Sequence, residues 1–218
     1  HARARVGYGR GVGGRTVALE MEPQAKPDKA GFFDRQQLAE QFKGTARAEH
    51  GALVICGQWM AEETDITAKM KLARQTWDEG RHAMAFYKRA RELGADIGLE
   101  PPTSAVLAPL GPMLVLARDT VERTTVLNRC IEALAIEGFS NTKPLADPES
   151  AEMLDFVIAD EVSHVQLGQW AVQHFCKTPE DLARVAEFQG RCEELLAQGR
   201  QEAARELEQQ ALTGCSPY

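Results

Sequence analysis

The sequence carries one five-residue pattern, Asp-Glu-x-x-His, twice, as Asp78-Glu79-Gly80-Arg81-His82 and Asp160-Glu161-Val162-Ser163-His164. Each copy follows a glutamate by nearly the same interval: Glu49 lies 30 residues before Glu79, and Glu132 lies 29 before Glu161. With 22 Glu and 5 His in 218 residues, a chance Glu-x-x-His is expected about 0.5 times, and one headed by Asp about 0.02 times. Two copies at matched spacing therefore mark a twofold internal repeat. The midpoints fall on turn signals, Thr64-Asp65 in one half and Asp147-Pro148 in the other. Residues equidistant from the turn of an antiparallel helix hairpin share one height, so Glu49 should face Glu79, and Glu132 should face Glu161.

Hydrophobic periodicity supplies the helices that this pairing needs. Asp34-Arg35-Gln36-Gln37 has the form of a capping box and opens a helix reaching about residue 62, with Phe42, Ala46, Glu49, Leu53, Cys56 and Met60 on its inward stripe. A second helix over 66–93 turns Leu72, Thr76, Glu79, His82, Phe86 and Ala90 the same way. Four prolines between residues 94 and 112 forbid a single helix there. A connection this long inside a compact domain is expected to cross from one end of the fold to the other. The third helix is expected over 113–140, with Val121, Thr125, Asn128, Glu132, Ala135 and Phe139 inward. A fourth follows the cap Asp147-Pro148 to about Cys176, burying Leu154, Val157, Glu161, His164, Gly168 and Phe175. Thr178-Pro179 restarts a fifth, highly charged helix, expected to cover the others or to form a dimer surface. No strand signal of any length appears, so the fold class is all-α. The domains expected are a glycine- and arginine-rich N-terminal arm over 1–33, a helical body over 34–177 and a C-terminal helix over 178–218.

Glu and His at i and i+3 share one helical face, so each repeat presents a carboxylate and an imidazole together. Four carboxylates and two imidazoles balance two divalent cations, and mixed oxygen and nitrogen ligation suits iron or manganese. Without metal, Glu49, Glu79, Glu132 and Glu161 would form a buried cluster of like charges. Asp78 and Asp160 point about 100° away around the helix. They are candidates to accept from the outer N–H of a ligand histidine, each serving the histidine of the other hairpin.

This constellation resembles the ferritin-like di-iron carboxylate superfamily, in which two helices each give one Glu and the other two each give Glu-x-x-His. The match covers about residues 34–176. Glu132-Ala-Leu-Ala-Ile-Glu137 followed by Asp160-Glu-Val-Ser-His-Val165 is also similar, more loosely, to an uncharacterised bacterial ferritin-like family. The resemblance implies a four-helix bundle with a long crossover between helices two and three, plus a fifth C-terminal helix. It implies Glu49, Glu79, His82, Glu132, Glu161 and His164 as ligands of two iron ions, with manganese or a mixed Mn/Fe pair as the variant. The superfamily includes iron storage proteins, peroxidases, desaturases, hydroxylases and N-oxygenases, so the fold does not name the reaction. The expected activity is an O2-dependent non-haem di-iron oxidase or oxygenase acting on a small organic substrate with an external electron donor. The alternatives are ferritin-like storage with ferroxidase activity and a peroxide-reducing protein, the latter lacking the CxxC pairs of a rubrerythrin-type donor module.

Glu137 rivals Glu132 as the third-helix ligand, but five residues turn the helix by about 500°, so the two cannot share a face. Glu137 lies one turn from the break at Asn141, and a place at the substrate mouth is the role left for it. His50 points off the ligand stripe, and His174 lies ten residues beyond His164; both are expected to be structural. Cys56, Cys130, Tyr87 and Trp77 are read as packing residues before redox ones. The net charge of −7 argues against a nucleic-acid groove. No stretch approaches eighteen apolar residues and the opening residues lack an apolar signal core, so a membrane span and a secretory leader are not expected. Five cysteines, odd in number and without CxxC, fit a reducing cytoplasm. A homodimer is the expected assembly.

Overall fold

The computed structural model describes residues 33–96 and 107–213. Every regular element among them is helical. Helix α1 (Arg35–Glu62) opens on the Asp34 capping box, whose carboxylate accepts from the Gln36 and Gln37 amides. Helix α2 (Ile66–Leu93) is capped by Asp65 and ends at Gly94 in the left-handed region, φ 107°, where a Cβ would be strained. A short α3 (Gly111–Leu116) precedes α4 (Thr120–Thr124), which runs through a π-helical stretch, Thr125–Ile131, into α5 (Glu132–Thr142). Asp147 caps α6 (Pro148–Phe175), and α7 (Pro179–Thr213) closes the chain. Most of the N-terminal arm and residues 97–106 of the long connection lie outside the described residues.

Polar contacts at the helix ends fix the directions. Arg35 at the start of α1 donates to the Leu93 and Glu92 carbonyls at the end of α2, at 3.1 and 2.5 Å. Gln41 donates to Thr142, and Arg89 joins Asp147, Ser150 and Glu149 at the start of α6. At the opposite end Glu63 accepts from Thr120, and His174 meets Asp65 at 3.2 Å. So α1 and α6 run one way and α2 and α4–α5 the other. The connection leaves α2 at one end, and α4 begins at the opposite end.

Two apolar clusters fill the space between the hairpins. One gathers Leu38, Phe42, Phe86, Phe139, Leu154 and Val157, with the Phe42, Phe86 and Phe139 rings 5.4 Å apart in succession. The other gathers Cys56, Trp59, Leu72, Leu127 and Leu167. Helices α1, α2 and α6 and the continuous α4–α5 segment each contribute to both, and their ligand candidates fall between the two contributions in sequence. The polar cluster is thus closed off by hydrocarbon above and below.

The third helix departs from its expected form in two ways. It begins at Thr120, not Met113, because Asp119 acts as an N-cap and accepts from the Glu122 amide. Met113 belongs to α3 and packs under α7 with Leu110, Ala117, Val126, Cys130, Cys192 and Leu196. The expected uninterrupted α-helix also contains the π stretch just before Glu132, which adds about one residue to a turn. Residues 124–128 are buried all round, since α6 covers one side and α7 another. Gly168 on α6 makes this approach possible: a Cβ there would lie 2.6 Å from Arg129 Cγ, 3.0 Å from the Thr124 carbonyl oxygen and 3.1 Å from Asn128 Cβ.

Charge ties α7 in place. Buried Glu122 receives Arg118 and Arg184 at 2.7 Å each, and Arg184 also pairs with Asp119 at 2.9 Å. Burial works against the Glu122 carboxylate, but the Arg118 and Arg184 bonds outweigh it and hold its pKa down to about 2. Among the described residues, no helix is long and apolar enough to cross a membrane.

Candidate metal centre

The two hairpins bring all six expected ligand residues to one height. Glu49, Glu79, His82 and Glu161 offer atoms within 4.8 Å of one another, and so do Glu79, Glu132 and His164. Glu79 belongs to both groups and is fully buried, as are Glu161 and His82; His164, Glu132 and Glu49 are nearly so. His82 Nδ1 lies 3.1 Å from Glu161, 3.7 Å from Glu79 and 3.8 Å from Glu49. His164 Nδ1 lies 2.7 Å from Glu161 and 3.4 Å from Glu79. The two imidazole centroids stand 5.8 Å apart. Both rings therefore turn the same nitrogen, Nδ1, toward the carboxylates.

The outer nitrogens face the aspartates across the hairpins. His82 Nε2–H donates to Asp160 at 3.3 Å, which orients the ring with Nδ1 toward the cluster. His164 Nε2 faces Asp78 at 3.7 Å, beyond hydrogen-bond reach. Asp78 is instead held by Arg74 at 2.7 Å and Arg81 at 2.6 Å, and Arg81 bridges on to Asp160 at 3.3 Å.

The cluster as it stands is electrostatically incomplete. Burial raises the pKa of Glu49 well above the usual carboxylate range, against the pull of His82 and with the help of the Glu161 and Glu79 charges. Glu132 is raised by burial and then by the charges of Glu161, Glu79 and Glu49. Burial opposes a charged His82, yet the neighbouring Glu161, Glu49 and Glu79 carboxylates outweigh it and push its pKa up to about 12. Protons here offset the repulsion that cations would offset in a metal site. Glu79 Oε2, His82 Nδ1, Glu161 Oε1 and His164 Nε2 are buried without a hydrogen-bond partner. Orphaned atoms of this kind are costly in a core, and three of the four point to the cluster interior as ligand atoms would. The residues fit a pair of divalent cations.

Gln75 completes the surroundings, and the sequence pattern did not single it out. Its side-chain amide donates to Glu79 at 2.8 Å and to Glu132 at 3.3 Å, while Asn128 donates to its carbonyl at 2.8 Å. The available signal was position: Gln75 and Asn128 each sit one turn before a candidate ligand. Gln75→Leu is expected to leave Asn128 and a Glu79 oxygen unpaired and to lower stability by about 1–3 kcal/mol. A thermal melt of the metal-free protein checks this; an unchanged midpoint would show the amide bridge to be dispensable.

Other sequence candidates lie elsewhere. Glu137 is exposed and pairs with Arg200 at 3.0 Å, away from the cluster. His50 is exposed, and His174 stacks on Trp170 at the far end, with centroids 4.5 Å apart. Burial, with the Glu79, Glu132 and Glu161 charges, pushes the Cys56 thiol up, so it packs as a neutral group. Tyr87 is half-buried against the first apolar cluster, and Trp77 is exposed. Comparison with family models, with curated proteins and with solved structures finds no match.

Proposed function

We propose that the cluster is a di-iron centre in a ferritin-like bundle, and that the protein is an O2-dependent oxidase or oxygenase of a small organic substrate. The observation that carries this is the burial of four carboxylates and two imidazoles at one level, with orphaned ligand atoms facing one another. Glu49, Glu79, His82 and Glu161 would hold one ion, and Glu79, Glu132 and His164 the other. Manganese in one or both positions is the variant that this donor set also suits. A ferrous pair, when bound, supplies two electrons to dioxygen, and an external donor restores them.

The chain's own groups do the rest. Asp160 keeps the His82 Nε2 proton in place, so the ring presents only Nδ1 to the centre. Gln75 links Glu79 to Glu132 through its side-chain amide, which donates to both. The Phe42–Phe86–Phe139 stack and the Cys56–Trp59–Leu72 layer exclude water from both ends, which strengthens each charge interaction inside.

Anaerobic loading with ferrous iron, followed by oxygen, tests this. Two irons per chain with oxygen consumed in proportion are expected. Iron accumulating far above two per chain would mean storage instead, and no uptake would reject the di-iron assignment.

A further inference from the structure

The face of α2 opposite the cluster is open and apolar. Ile66, Trp77 and Met84 are each 68% exposed and Met70 is 64% exposed. Their spacing is regular: Met70, Trp77 and Met84 recur every seven residues, and Ile66, Ala73, Gly80 and Tyr87 form a second seven-residue series between them. The alternation of three and four residues is that of a coiled-coil seam. Ala73, Gly80 and Tyr87 on its inner edge are already half-buried, while Ile66, Met70, Trp77 and Met84 would be buried only by a further helix. Exposed Met and Trp in one stripe 27 Å long, at about 1.5 Å per residue over eighteen residues, are unusual on a free surface. Of the basic residues along its edge, Arg74 and Arg81 do not call for an acidic partner. They are already paired with Asp78 at 2.7 and 2.6 Å, and Arg81 also with Asp160 at 3.3 Å.

We propose that this seam is the contact with a second copy of the chain, α2 packing antiparallel on α2 about a twofold axis between Asp78 and Glu79. In an antiparallel pair the two series of the seam lie opposite each other. That register sets Trp77 over Gly80 of the second copy, Met84 over Ala73, and Met70 over Tyr87, so in the central layers a large side chain meets a small one. A twofold contact repeats each of these pairs in reverse, which makes the surface self-complementary. Gly80 provides the notch: beneath it lies Leu53 of α1, 3.7 Å from where a Cβ would be. A groove of about 600 Å³ lined by Met84, Tyr87, Lys88 and Arg91 ends the stripe, where Ile66 and Met70 of the second copy would enter. The interface is independent of what the carboxylate cluster binds, and it places the two clusters back to back.

The full chain is expected to sediment at twice the chain mass of 24.0 kDa, and Trp77→Glu to weaken association at least about 100-fold. Far-ultraviolet helicity should be unchanged in that variant. To fix the register, Ala73→Cys and Met84→Cys variants are mixed and treated with a short bismaleimide. A 73–84 cross-link between chains, identified by peptide mass, is expected in the mixture and absent from either variant alone. A monomer at about 100 µM, where even a weak dimer of 10 µM dissociation constant would form, overturns the proposal. So does a dimer indifferent to Trp77→Glu, or one lacking the 73–84 link. Two metal ions per chain in monomeric Trp77→Glu would leave the metal assignment standing either way.

Discussion

Glu79→Gln is expected to cut bound divalent metal from two ions per chain to less than one. Glu79 is the only residue common to both candidate ligand groups, so one substitution weakens both. Glutamine preserves the volume and can still accept from Gln75, which separates ligation from packing. The affinity loss should exceed the 10–100-fold typical of losing an outer partner of a ligand, so more than about 100-fold. The metal-free variant should melt no lower than the metal-free wild type, because one of four crowded buried carboxylates has lost its charge. Metal analysis after dialysis gives the stoichiometry, and His164→Ala serves as a second variant that removes a ligand candidate from the Glu79–Glu132–His164 group. Two ions retained at wild-type affinity in both variants would refute the ligand assignment.

Gly168→Ala should be the most damaging alanine substitution among the described helical glycines. Of the contacts that its Cβ would meet, Arg129 Cγ at 2.6 Å can swing aside, but the Thr124 carbonyl oxygen at 3.0 Å is backbone and cannot. Relief requires α6 to withdraw from the π stretch or the π turn to rewind, and the stretch leads directly into Glu132. Overpacking of this kind costs about 1–3 kcal/mol. The melting temperature should fall by about 2–4 °C for each kcal/mol in a chain of this size. Because Glu132 moves with the stretch, metal affinity should fall as well. Gly44, Gly51 and Gly138 have nothing within 4 Å of an added Cβ and serve as controls. A Gly168→Ala protein with wild-type melting and metal affinity would show the close approach to be unimportant.

The carboxylate ring was readable because helices convert sequence distance into height. Once Thr64-Asp65 and Asp147-Pro148 are taken as turns, Glu49 and Glu79 must meet, and Glu132 and Glu161 likewise. The choice of Glu132 over Glu137 followed from the same geometry, and Glu132 lies in the cluster while Glu137 faces Arg200. The break before Thr120 was also written in the chain, as Asp119 followed three residues later by Glu122, but the apolar run from Met113 masked it. Of the run 113–116, only Met113 and Leu114 join the cluster under α7 while Val115 and Leu116 are exposed, and no periodicity within one helix distinguishes those destinations.

Local pattern and spacing thus determined that the chain is helical, that it repeats, and which six side chains share a level. Those are consequences of helix rise and of the period of apolar residues, and both are carried by short stretches of sequence. Tertiary structure decided most of the rest. Glu132 follows a π turn because α6 comes close at Gly168 and α7 covers the outer side, and the wider turn has no sequence signature of its own. His82 is anchored by Asp160 while His164 lacks a bond to Asp78, because Arg74 and Arg81 compete for the second aspartate and not equally for the first. Arg74 and Arg81 lie one turn on either side of Asp78, where Phe156 and Ser163 flank Asp160, so that part of the asymmetry is local. That Asp160 reaches His82 across the bundle depends on the distance between helices, which spacing along one chain does not express.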